Sequence, residues 1–144
     1  MKIAVLVKQV PGSETALPIL ENQKWIDEEQ VSFVMNPPDN FAIEEALLIK
    51  ERTGDGEVVI VSMGPARVQK VIREGLAKGA DRGIHLEEDG QIEIDPLSIA
   101  KRFSSVLKEE NFDLIFTGLQ SDDTGMGQTG VLIGEMLGLS TVTL

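Results

Sequence analysis

The residues best placed to do chemistry lie in the stretch QSDDTGMGQTG, residues 120–130. Within it, Gly125-Met126-Gly127-Gln128-Thr129-Gly130 has the G-x-G-x-x-G spacing of a dinucleotide-binding turn, and Asp122 and Asp123 stand directly in front. Three readings compete: a phosphate cradle, a metal loop, or a turn ahead of a helix. A phosphate cradle would use backbone N–H groups at Gly127–Gly130, where a helix N-terminus favours an anion. Ser121, Thr124, Gln128 and Thr129 would add neutral donors, and an aspartate could accept from loop N–H groups or ribose hydroxyls. The metal reading fits poorly. An EF-hand loop counted from Asp122 puts Met126 and Ile133 where oxygen ligands belong. The dinucleotide fingerprint is also incomplete. It should follow a first strand and precede a ribose-binding acid by about 20 residues. Here it follows the fourth apolar strand, and no such acid follows.

Other candidates carry less. His85 is the only histidine, has no Ser or Cys nucleophile pattern near it, and is read as structural. Trp25 is read as a packing residue, and Glu44-Glu45 and Glu109-Glu110 as solvated helix faces. There are no cysteines, which removes thiol chemistry and Cys-ligated metals. No triad or Walker loop is present, so no catalytic residue and no metal site is expected. The 144 residues carry 13 Lys+Arg against 24 Asp+Glu. A net charge of −11 argues against nucleic acid or an anionic membrane as partner, though not against a small anionic ligand held by backbone N–H groups. No apolar stretch approaches the ~20 residues of a membrane span, and the N-terminal run is too short for a signal segment. A cytoplasmic location is expected.

The elements that must position these residues can be read from the apolar pattern. Lys2–Lys8 and Glu57–Met63 are continuous apolar runs, the mark of strands covered on both faces. Residues 9–30 form a long excursion with a short strand near Trp25, and VSFVM is a strand ending at Pro37-Pro38. A helix is predicted over 40–52, with Ala42, Ile43, Ala46, Leu47 and Ile49 inward. Gly64-Pro65 opens the next helix, with Val68, Val71, Ile72, Gly75 and Leu76 inward, and Gly79 closes it. Gly83–Leu86 is a third parallel strand, followed by the acidic turn EEDGQ (87–91). Asp95-Pro96 caps a third helix with Ile99, Ala100, Phe103, Val106 and Leu107 inward. Asp113–Gly118 is the fourth strand, 126–138 the fourth helix, and 140–144 the start of a fifth strand. Strand–helix alternation with apolar strands demands an open, mostly parallel α/β sheet with helices on both faces. Ligands of such sheets sit beyond the carboxyl ends of the strands, which singles out the loops starting at Lys8, Met63 and Gly118.

Several segments together resemble the beta subunit family of electron transfer flavoproteins: VKQVP (7–11), MNPPDNFAIEEAL (35–47), VSMGPA (61–66), IREGLAKGADRGIHL (72–86) and GLQSDDTGMGQTG (118–130). The resemblance implies a Rossmann-like adenine-nucleotide-binding fold that takes AMP, or FAD in electron-bifurcating members. It also implies an alpha subunit as heterodimer partner, with partner dehydrogenases as electron donors. The nucleotide would contact Leu6, Asn36, Pro37, Pro38, Asp39, Met63, and the loop residues Gly118, Leu119, Gln120, Ser121, Asp123, Thr124, Gly125, Met126, Gly127, Gln128 and Thr129. Asp123 matches the family pattern, whereas Asp122 falls on its variable position. Gly12 departs from the Asp that often follows VKQVP. Residues 1–144 are expected to form one domain, shorter than family members at its C-terminus. A stand-alone ATP-binding domain of the stress-protein or ATP-pyrophosphatase type is the alternative; the absence of Lys and Arg from the 118–130 loop weighs against it.

Overall fold

The computed structural model describes residues 1–22, 24–88 and 95–143. Four parallel strands form the main sheet: β1 (Lys2–Leu6), β4 (Glu57–Gly64), β5 (Arg82–Glu87) and β6 (Leu114–Thr117). Their spatial order is β5-β4-β1-β6. The chain thus builds outward from β1 to β4 to β5, then returns to place β6 on the other side of β1. That reversal is a topological switch point between β1 and β6. The strands pair with Leu6 opposite both Val61 and Thr117, so their carboxyl ends share one rim.

The helices α1 (Pro37–Thr53), α2 (Gln69–Ala77), α3 (Pro96–Glu110) and α4 (Thr129–Leu137) cover both faces. Because strand side chains alternate, Ile3, Val5, Val58 and Ile60 pack under α1 and α2 with Ile43, Ala46 and Val71. Ala4, Leu6, Val59 and Val61 pack under α3 and α4 with Ala100, Phe103, Leu107 and Ile133. This is why KIAVL and EVVIV carry no polar alternation: neither face meets water.

Several boundaries differ from the sequence reading. β1 stops at Leu6 because the Lys8 N–H leaves the ladder and donates to the Asp39 carboxylate at 2.7 Å. The chain then forms β2 (Gln9–Pro11), unexpected from sequence, antiparallel to β3 (Phe33–Met35), the strand predicted at VSFVM. Near Trp25 the expected strand is a single antiparallel bridge between Ile19 and Ile26. α1 begins three residues earlier than expected, since both prolines occupy its first turn, where no N–H is needed. Pro65 does not open α2; it precedes a 3-10 turn at Ala66–Val68, and α2 starts at Gln69. Asp95 caps α3 as expected, accepting from the Ser98 N–H. Residues 140–143 pair with no strand among the described residues, and Val142 is almost fully exposed, so the expected fifth strand is not formed there. Part of the acidic turn (89–91) and Leu144 lie outside the described residues.

Candidate functional site at the switch point

The loop 118–128 leaves the end of β6 beside the end of β1, at the reversal of strand order. Asn36 holds it there. This residue is buried, and its Nδ2 donates both to the Gln120 carbonyl and to Asp39 Oδ1, each at 3.0 Å. Its Oδ1 accepts the Asp122 N–H at 3.0 Å. One side chain therefore grips two backbone groups of the loop. Asp39 ties the other ends together: it accepts from the backbone of Lys8 and of Gly118 and from Asn36. A Cβ at Gly118 would run into Asp39 Oδ1, so only glycine lets the loop leave β6 this close to the carboxylate. Burial raises the Asp39 pKa to about 6, against the lowering effect of its hydrogen bonds from Lys8, Asn36 and Gly118.

The three glycines of the G-x-G-x-x-G stretch divide the work. Gly125 and Gly127 have left-handed backbone, with φ 62° and 60°, which ends any helix on their side. α4 therefore starts at Thr129, three residues later than expected. Its unpaired N–H groups are those of Thr129, Gly130 and Val131, not Gly127–Gly130, and Leu132 makes the first helical bond to the Gln128 carbonyl. Gly130 seats the helix on β6, because a Cβ there would lie 2.7 Å from Thr117 Oγ1. Close helix–strand packing is what the third glycine of the dinucleotide fingerprint provides. That geometry occurs here after β6 rather than after β1.

A basic group reaches this loop from elsewhere in the chain. Lys8 Nζ lies 2.6 Å from Asp123 Oδ1, 3.2 Å from Ser121 Oγ and 3.4 Å from Thr124 Oγ1. Asp123 Oδ1 also accepts the Thr124 N–H, and a turn closes from the Gly125 N–H to the Ser121 carbonyl. Partial burial pushes the Asp123 pKa up, but the hydrogen bonds from Lys8 and Ser121 and the Lys8 charge outweigh it and hold the pKa low. Asp123 is thus bound to its own protein, while Asp122 contributes its N–H. The sequence reading assigned no role to Lys8. The available signal was a lysine directly ending the first buried strand, at one of the three loops on the rim.

The remaining expected contacts are placed as follows. Leu6 is buried in the core under α4, and the half-buried Met63 packs on the same face two residues beyond Val61. Pro37 and Pro38 begin α1 beside Asn36, and a Cβ on Gly118 would touch Pro38. Leu119, Met126 and Gln128 are exposed along the loop. His85, read as structural, has its Nε2 2.8 Å from the Gly64 carbonyl. Trp25 is half exposed and donates to Glu28, whose partner Arg67 stacks on Phe33 and donates to Gln9. Glu110, read as part of a solvated helix face, is ion-paired there with Lys2 and Arg82.

Together these features define an open, doubly wound α/β fold whose candidate site lies at the carboxyl ends of β1 and β6, built from a glycine-rich loop and a helix N-terminus. A family model described as "Electron transfer flavoprotein domain" matches residues 23–144. The chain is 41% identical over 143 residues to the electron transfer flavoprotein subunit beta of Bradyrhizobium diazoefficiens, covering 99% of this chain and 57% of that protein. The corresponding subunit of Methylophilus methylotrophus is 38% identical over 138 residues, covering 95% of this chain and 52% of its own. The human subunit is 34% identical over 139 residues, covering 95% and 54%. The chain belongs to the electron transfer flavoprotein family and is similar to its beta subunits. It spans a little over half the length of these relatives.

Proposed function

We propose that this chain is the nucleotide-binding portion of an electron-carrying beta subunit. In this role it holds an adenine nucleotide, AMP or FAD, at the switch point, and works with an alpha subunit to pass electrons from dehydrogenases to an acceptor. The observation that carries the reading is the loop 118–128 set against the α4 N-terminus. The donor set fits such a ligand. The N–H groups of Thr129, Gly130 and Val131 face out of a helix start, which favours a phosphate. Gln128 and Thr129 would supply an amide and a hydroxyl donor, while the Ser121 and Thr124 hydroxyls are engaged within the turn, and the left-handed Gly127 leaves space that a Cβ would take 3.5 Å from the Leu119 carbonyl. The rim segments at Leu6, Asn36–Asp39 and Met63 would border the rest of the nucleotide. Because the Asn36 and Asp39 side chains are bound within the protein, their part is to hold the loop. A bound FAD would supply the redox chemistry; AMP would act as scaffold.

The test is to purify the protein, release any ligand by denaturation, and identify it by mass spectrometry and visible absorbance. A stoichiometric adenine nucleotide is expected. Flavin colour assigns FAD, and a colourless release assigns AMP. Protein that carries no nucleotide and binds neither compound in titration calorimetry overturns the proposal.

A further inference from the structure

We propose that Lys8 is the positioning residue of the candidate site: its ammonium latches the Ser121–Gly125 turn onto the end of β1 and cancels the Asp123 charge facing the crevice. This rests on the nucleotide reading above, and it assigns the work to a residue outside the loop.

The backbone of Lys8 is fixed from both sides. Its N–H donates to Asp39 Oδ2, and its carbonyl accepts the Asn36 N–H at 2.9 Å. From there the side chain reaches across to the loop. All three of its donors meet the same turn, at Asp123, Ser121 and Thr124. An ammonium has three donors and no acceptor, so its hydrogen-bonding capacity is filled. Without it, the partly buried Asp123 carboxylate would have no counter-charge, one residue from Asp122. An approaching phosphate would be repelled. The turn would also lose the contacts that join Ser121 and Thr124 to β1. A nucleotide would then find the α4 N–H groups in place but the opposite wall of the crevice loose and negative.

The experiment compares wild type with Lys8→Met, which keeps the aliphatic stem, and with Lys8→Arg. Amide hydrogen exchange without ligand gives the first readout. In Lys8→Met, exchange at Thr124 and Gly125 is expected to rise at least tenfold, while Val59 and Val61 in β4 keep wild-type protection; Lys8→Arg restores the slow exchange. Unchanged exchange at Thr124 and Gly125 overturns the latch, and so does an equal rise in β4, which would mean general loss of stability. Calorimetry with AMP and with adenosine gives the second readout. AMP affinity is expected to fall about tenfold in Lys8→Met and adenosine affinity to stay constant. A looser turn with unchanged AMP affinity overturns the positioning role. If wild type binds no AMP or FAD, the proposed function fails, and the exchange data alone decide whether Lys8 holds the loop.

Discussion

Asp39 should make the stability of this domain fall as pH rises between about 4 and 6, the reverse of the usual behaviour of a carboxylate. Its carboxyl is buried and has a pKa of about 6 against an ordinary 3.8. The folded protein therefore holds this proton more tightly than the unfolded chain does. The stabilisation is fully present below the ordinary value and is lost as pH rises through about 6. The gap between 3.8 and about 6 corresponds to about 3 kcal/mol, at ~1.36 kcal/mol per tenfold in proton affinity. Carboxylates held low, such as Asp81 and Asp123, act in the opposite sense and lose their contribution as pH falls through their own lowered values. The two effects therefore separate along the pH axis. Urea unfolding from pH 3.5 to 7.5 on wild type and Asp39→Asn isolates the Asp39 part as the difference between the two curves. That difference should change by about 2 kcal/mol between pH 4 and 6, approach the full ~3 kcal/mol over the whole range, and be nearly level above pH 6.5. Carbon-13 titration of the Asp39 carboxyl in wild type gives the same quantity should the variant not fold. A carboxyl midpoint near 4, or a flat difference curve, refutes the argument that burial outweighs the hydrogen bonds.

Gly118→Ala should cost ~1–3 kcal/mol in denaturant unfolding, because the new Cβ meets Asp39 Oδ1 and neither backbone nor carboxylate can easily yield; wild-type stability would show that the junction is soft. Asn36→Ala removes the hydrogen bonds to the Gln120 carbonyl and the Asp122 N–H, at ~0.5–1.5 kcal/mol each. Faster amide exchange at Asp122 with an intact β4 is the expected signature, and unchanged exchange would refute the grip. Thr129→Val should weaken nucleotide binding by ~1 kcal/mol in calorimetry if the hydroxyl at the helix start holds a phosphate. Equal affinity in that variant removes Thr129 from the phosphate site.

The parts of the fold readable in sequence are those whose cause is local. KIAVL and EVVIV are apolar throughout because both faces are covered, and Asp95-Pro96 spells a helix start whatever surrounds it. The helix stripes Ala42–Ile43–Ala46 and Ala100–Phe103–Leu107 follow helical spacing and lie in the core. What was not readable depends on partners far along the chain. Nothing in VKQVP says that the strand ends at Leu6, since the carboxylate that takes the Lys8 N–H is 31 residues away. The start of α4 was misplaced because the left-handed backbone at Gly125 and Gly127 is a property of the folded loop. The position of the candidate site on the rim was legible, and the resemblance named its loop. The lysine that crosses to that loop was hidden by a separation of 115 residues.

That separation has a kinetic consequence. Lys8 and Asp123 come together only once β6 has docked on β1, and among the described residues β6 follows β1, β4 and β5 in sequence. Pairing β6 with β1 closes a loop about twice as long as the β1–β4 pairing does, at about 0.6 kcal/mol more, so β6 is expected to join after β4. A chain stalled before that step has β1, β4 and β5 to pair but no crevice, and a ligand of the crevice cannot distinguish it from unfolded protein. Binding would then act only on the finished domain, stabilising it by RT ln(1 + [L]/Kd). A nucleotide held there as proposed would be a selective brake on the undocking of β6.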